Sequence, residues 1–380
     1  MFVGHAHPKV TEAVLNQVPN GTTFFANNVH GIKLAEEICA AVNCIEQIRF
    51  VSSGSEATLY AMRIARAYRE RDKVLKFEGG YHGMSDYSLM SLAPKTLSNF
   101  PQAIPDSPGI PKKVSEEVIV APFNDTDMFK SILDEHHEQL GAVIVEPFQR
   151  LIPPAPGFLE VLRDMTLIYD IPLIFDEIVT GFRFAYGGAQ EFYSVTPDLC
   201  SLGKIIGGGF PLAAVGGRKD LMQLFDKDAV GDKHFLPQIG TLSGNPVASA
   251  AGLATLEILK PKSAYETVFD TGRVLMGELE AAMKDYGHSA VILGEPPLFD
   301  VFFTDNEISD YRGILKADTK KGSAFNKLLR SNQVFKGDSK FYVSLAHNED
   351  DVNLTVLSLI HISEPTRRRG ISYAVFCLKK

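Results

Sequence analysis

Lys204 is hard to explain without chemistry. It stands in Ser201-Leu202-Gly203-Lys204-Ile205-Ile206-Gly207-Gly208-Gly209, after a β-type run and before three glycines, with no Asp or Glu nearby in sequence. A lysine amine with a lowered pKa is a nucleophile for Schiff-base chemistry. The plainer alternative is a solvated lysine in a loop. Asp176 ends the apolar run Leu173-Ile174-Phe175. A carboxylate there lies where open α/β sheets bind ligands, and burying it asks for a cation or strong donor. A protonated pyridine nitrogen would serve; capping a following turn is the alternative. Ser52-Ser53-Gly54-Ser55-Glu56-Ala57 lies between a strand and a helix, so the amides of the turn can receive a phosphate, with the Ser55 hydroxyl beside them. It also reads as an ordinary helix cap. In Gly79-Gly80-Tyr81-His82-Gly83 the glycines flank an aromatic that could stack on a flat ring or merely plug a loop. Thr241, in Gly240-Thr241-Leu242-Ser243-Gly244-Asn245-Pro246, adds another hydroxyl for an anion. A phosphate cradle, a stacking aromatic, an acid for a ring nitrogen and a Schiff-base lysine together describe a pyridoxal 5'-phosphate site.

Such residues need a scaffold. Short β-rich runs at 48–51 and 73–77 predict strands, and the apolar runs at 118–121, 142–145 and 173–175 predict strands covered on both faces. Between them lie helical patterns, including 127–137, 159–169 and the stretch in which Ala57, Tyr60, Ala61, Ile64, Ala65 and Tyr68 share one face. Strands alternating with helices predict an α/β fold with a mainly parallel sheet and helices on both faces. After Pro246 the chain reads as helical to about 286. Strands at 290–293 and 298–304, a helix near 324–330 and a strand at 342–345 then predict a smaller α+β unit. The boundary is placed at Lys260-Pro261, where the proline breaks or kinks the helix.

With these motifs in order, residues 4 to 355 resemble the class III pyridoxal-phosphate aminotransferases of fold type I. Within that class the similarity is greatest to the glutamate-1-semialdehyde 2,1-aminomutases. The matching segments are VSSGSEATLYAMRIARAYRERDKVLKFEGGYHG, FDEIVTGFR, SLGKIIGGGFPLAAVGGR, GTLSGNP and VSLAHNEDD. The resemblance implies that Lys204 holds the cofactor as a Schiff base and moves the substrate proton. It implies that Asp176 pairs with the pyridine nitrogen. Tyr81 and Ile178 would cover the two ring faces, and Gly54 and Ser55 would hold the phosphate. His82 and Glu146 would lie near the cofactor. Thr241 would reach the phosphate of a partner subunit, making the active site that of a homodimer. The substrates implied are a small-molecule amino donor and a keto acid or aldehyde acceptor. The aminomutase, a racemase and an inactive fragment are the alternatives. Where many class III enzymes carry Gln-Gly-Glu after Glu-Pro, this chain has Phe148-Gln149-Arg150-Leu151, and Arg150 is a candidate for holding a substrate carboxylate.

The family reading organises the chain as an N-terminal remnant over 1–30, a cofactor-binding large domain over 31–260, a small domain over 261–356 and a tail over 357–380. That tail, with three consecutive arginines, shows no helical periodicity and resembles the translation of a cloning adaptor. Two domains suit 380 residues. The net charge of −8 argues against a general binder of nucleic acid or anionic membranes, and no apolar run is long enough to span a bilayer. The four cysteines, Cys39, Cys44, Cys200 and Cys377, form no CxxC pair and no disulfide framework, which points to the cytoplasm. His136 and His137 are adjacent on a charged helix face, so solvation is favoured there over metal binding and no metal site is expected.

Overall fold

The computed structural model describes residues 2–363. By contacts the chain divides into two units, one of His5–Arg150 with Pro154–Lys260, the other of Phe2–Gly4, Leu151–Pro153 and the described chain from Pro261 onward.

The first unit is built on a seven-stranded sheet. Its strands are β1 Gln47–Val51, β2 Lys73–Phe77, β3 Val118–Ala121, β4 Leu140–Val145, β5 Leu173–Glu177, β6 Leu199–Leu202 and β7 Ala213–Gly217. The order across the sheet is β1-β7-β6-β5-β4-β2-β3. β3, β4, β5 and β6 are buried at every residue, as strands covered on both faces must be. The pairs from β3 through β6 are parallel, whereas β7 is antiparallel to both β6 and β1. Only β7 is therefore reversed. The link from β6 to β7 is too short to hold a crossover, so the chain must return antiparallel. β1, β2, β4, β5 and β6 all point the same way, and the loops at their C-terminal ends emerge along one edge of the sheet.

The helix Gly54–Arg69 packs on β4, β6 and β7. Its buried face carries Ala57, Ala61 and Ala65, small residues that let it lie close to the sheet, with Met62 and Ile64 filling the sides. At its start Ser53 and Glu56 form a reciprocal cap: the Glu56 amide donates to Ser53 Oγ, and the Ser53 amide donates to Glu56 Oε2 at 2.8 Å.

The second unit holds the three-stranded antiparallel sheet β8 Val291–Glu295, β9 Leu298–Phe302 and β10 Phe341–Tyr342, in the order β10-β9-β8. The helix Lys262–Asp285 lies against the β8–β9 turn. A Cβ on its Gly272 would stand 2.0 Å from Pro296 O. Val268, Leu279, Leu298, Phe299, Phe325 and Leu329 are buried. The N-terminal Phe2 also belongs here, its carbonyl accepting the Leu345 amide at 2.9 Å. The helix Glu349–Ser363 runs beyond residue 357, correcting the expected start of a tail without helical structure. The reason is packing: Leu359 is buried, and Ser358 Oγ donates to Leu354 O and Asn332 O. The rest of the expected tail lies outside the described residues. Among those described, no helix is long and apolar enough to cross a membrane, and no cluster of His, Cys, Asp and Glu could hold a metal.

Candidate active site

The site grows from the loops along one sheet edge, all in the first unit. After β1, the capping of the helix Gly54–Arg69 uses the amides of Ser52, Ser53, Glu56 and Ala57. Among the described residues, the amides of Gly54 and Ser55 have no intramolecular acceptor. They are left to an outside anion at the positive end of the helix. Ser55 Oγ accepts the Met84 amide at 3.1 Å, which joins this turn to the loop after β2. Gly83, at φ +91°, packs so closely on Ser55 that a Cβ would lie 2.6 Å from its Oγ.

The loop after β2 presents Tyr81, 45% exposed, and hides His82, 1% exposed. The Tyr81 amide donates to Glu146 Oε2 at 2.8 Å, so Glu146 fixes the aromatic through its backbone. The His82 carbonyl accepts from Thr58 Oγ1 at 2.6 Å and Ser88 Oγ at 2.8 Å. Its Nδ1 lies 2.8 Å from Asp176 Oδ2, and its Nε2 is buried without a partner.

Asp176 sits at the end of β5, 4% exposed. Its Oδ1 accepts from Ser201 Oγ at 3.0 Å and from the Ile178 amide at 3.2 Å. Sheet register explains the first bond, because Asp176 pairs directly with Ser201 of β6. Its partners are thus an imidazole, a hydroxyl and an amide; none is a lysine or arginine. Two residues on, Ile178 touches both flanking turns. A Cβ on either Gly54 or Gly203 would come within 3.1 Å of its Cδ1.

Lys204 follows Gly203 and opens the turn Lys204–Gly207 with φ +45°, a left-handed backbone unusual for a side chain of its size. The glycines after it make room for the helix Pro246–Leu259. A Cβ on Gly208 would stand 2.4 Å from Ala251 O, and one on Gly252 would stand 2.1 Å from Ile206 O. Lys204 is exposed, within reach of solvent and ligand.

Contacts thus connect Gly54, Ser55, Tyr81, His82, Glu146, Asp176 and Ile178, and Lys204 follows Gly203, which packs on Ile178. Thr241 is not joined to them. It lies on an exposed turn held by Asn28, whose Nδ2 donates to Gly244 O at 2.8 Å.

Arg150 is held against the backbone of another loop. It donates through Nε to Gly79 O and through Nη2 to Leu92 O, the latter at 2.6 Å. Next to it Gln149, fully buried, donates Nε2 to Glu78 O at 2.8 Å. The segment after β4 therefore staples the loop after β2, with Arg150 donating to two of its backbone carbonyls. Sequence reasoning missed this role because an arginine beside a catalytic loop reads as an anion binder whether or not a carbonyl is nearer. It also missed Ser201, visible only through strand register, and Thr58, whose target is the His82 carbonyl 24 residues on.

These residues fit pyridoxal phosphate. Outward helix amides suit its phosphate, the exposed Tyr81 ring and Ile178 suit a planar ring, and a buried carboxylate without a lysine or arginine partner suits a protonated ring nitrogen.

The chain belongs to the class-III aminotransferase family, whose model matches residues 1–322. It is accordingly a pyridoxal-phosphate-dependent enzyme of aminotransferase type. It is 42% identical, over 94% of its length and 83% of the relative's, to a glutamate-1-semialdehyde 2,1-aminomutase of Thermodesulfovibrio yellowstonii. It is 39% identical, with the same coverage of both chains, to one from Syntrophomonas wolfei. Among solved structures, an omega-transaminase from Sphaerobacter thermophilus superposes with a TM-score of 0.88 at 34% identity, covering 94% of this chain and 83% of that one.

Proposed function

We propose that this enzyme moves an amino group between an amino acid or amine and a keto acid or aldehyde, with Lys204 as the covalent anchor and proton carrier. The observation that carries the reading is Asp176: a buried carboxylate, held by His82, Ser201 and the Ile178 amide, with no lysine or arginine on it. Pyridoxal phosphate, when bound, supplies an electron sink for the α-carbon of an amine. Asp176 would keep the proton on the ring nitrogen that makes that sink effective. The Gly54 and Ser55 amides would hold the phosphate, and Tyr81 and Ile178 would confine the ring between them. His82 and Glu146 would act through Asp176 and Tyr81. Lys204 would hold the group through its amine and, once displaced by substrate, take the α-proton and deliver it again.

Thr241 fits this scheme as a phosphate contact given to a partner subunit, which makes the working form a homodimer, placed in the cytoplasm. A second reading is intramolecular: two relatives near 40% identity bear the name glutamate-1-semialdehyde 2,1-aminomutase. Incubation with that semialdehyde alone separates the two. Rearrangement without any added acceptor favours the mutase, whereas a requirement for a separate keto acid favours the transferase.

The cofactor assignment is tested by absorbance with added pyridoxal phosphate, before and after borohydride. The expected result is a visible band that reduction fixes to the chain and that Lys204→Ala lacks. A band that survives unchanged in Lys204→Ala would remove the lysine from its role.

A further inference from the structure

Lys76 lies in the interior of β2, 2% exposed, in the run Lys73-Val74-Leu75-Lys76-Phe77. A buried ammonium is costly unless every donor is met. Here the acceptors are three main-chain oxygens: Met90 O at 2.6 Å, Ser88 O at 3.0 Å and Gly80 O at 3.1 Å. All three belong to the loop that leaves β2, the loop whose first turn carries Tyr81 and His82. An ammonium has three N–H donors and a neutral amine only two. Loss of one proton therefore turns a lone pair toward one of three buried carbonyls.

The charged groups around Lys76 pull in both directions. Burial acts most strongly and lowers its pKa to about 7; Glu146 after β4 and Asp106 in the connection from β2 to β3 favour the charged form, and Arg150 opposes it.

We propose that Lys76 is a positioning residue whose proton sets the order of the loop bearing Tyr81 and His82. The charged amine holds three carbonyls and tightens the loop; the neutral amine releases one and loosens it. The functional consequence rests on the assignment of Tyr81 and His82 to the cofactor made above.

The test is hydrogen exchange on the cofactor-free full chain between pH 6 and pH 8.5, with rates corrected for intrinsic amide chemistry. Segment 79–92 is read against the helix Gly54–Arg69 as an internal control. The Tyr81 amide on Glu146, the Met84 amide on Ser55 and the Ser91 amide on Ile104 O are the reporters. Leaving one buried acceptor unmet predicts a fall in relative protection of about tenfold as pH rises through neutrality. Lys76→Met should show low protection with no step, and Lys76→Arg, charged throughout, should lose the step as well. If Lys76→Met does not fold, the wild-type step and its absence in Lys76→Arg decide the matter. A flat wild-type profile, or a step that persists in Lys76→Arg, overturns the proposal. Because no cofactor is present, this result stands apart from the Lys204→Ala spectrum, on which the cofactor reading itself depends.

Discussion

Asp176 and Lys76 show how two buried ionisable groups are kept for different reasons. Asp176 lies near the end of β5, and its partners include no lysine or arginine. Lys76 is enclosed and its donors are consumed by carbonyls. Asp176 and Lys204 were legible in sequence because each is out of place in its local pattern: an acid closing an apolar run, a lysine before three glycines. Lys76 was equally out of place, but its run also reads as a plain strand, and nothing in sequence says that three carbonyls return to meet it. Its linkage to stability has a definite sign. The folded chain holds Lys76 at a pKa of about 7, whereas the ordinary value is 10.5. Between these values the unfolded chain binds the extra proton, so stability rises with pH, and it is lost as pH falls through the lower value. The urea midpoint should therefore rise more between pH 7 and pH 9 in the wild type than in Lys76→Met. Equal changes in the two chains would contradict the assignment. Global unfolding hydrates Lys76 and takes up the proton, whereas the proposed loosening of the loop leaves the amine enclosed, so the same proton costs global stability while ordering one loop.

At the level of elements, most of the sheet was readable because β3, β4 and β5 are continuous apolar runs bounded by turns. The reversal of β7 was not, since its direction follows from the length of the link before it and not from its composition. Close approach explains two glycines of opposite character. Gly252 lies on the helix Pro246–Leu259 with no space for a methyl beside Ile206 O, so Gly252→Ala should cost about 1–3 kcal/mol and disturb the Lys204 turn. Gly277, in the helix Lys262–Asp285, has open space around it. Gly277→Ala should stabilise by about 1 kcal/mol through helix propensity alone. Denaturant melts of the two variants check both signs, and equal shifts in one direction would show that packing at Gly252 is not what restrains that helix. The helix at 357–363 was not readable for a related reason: burial of Leu359 supports helix in a segment whose own pattern is weak.

For the whole molecule, the first unit exposes Phe25 at 95% and Ile239 at 92%, with Val29 and Met84 also largely exposed. Side chains this large and this exposed are where the partner of the proposed homodimer is expected to bind. The proposed homodimer predicts a sedimentation mass of two chains. The double variant Phe25→Asp with Ile239→Asp should fall to one chain and bind pyridoxal phosphate more weakly, as loss of the partner's Thr241 requires. A wild-type chain that sediments alone while binding the cofactor fully would refute the shared site. The staple between the segment after β4 and the loop after β2 has a further meaning for anyone exchanging parts among relatives. Gln149 and Arg150 are matched to the carbonyls of Glu78, Gly79 and Leu92, so the two segments fit together as one piece. A graft that replaces either alone would import a key without its lock; only the paired transplant should carry a new specificity into this scaffold with its aromatic still in place.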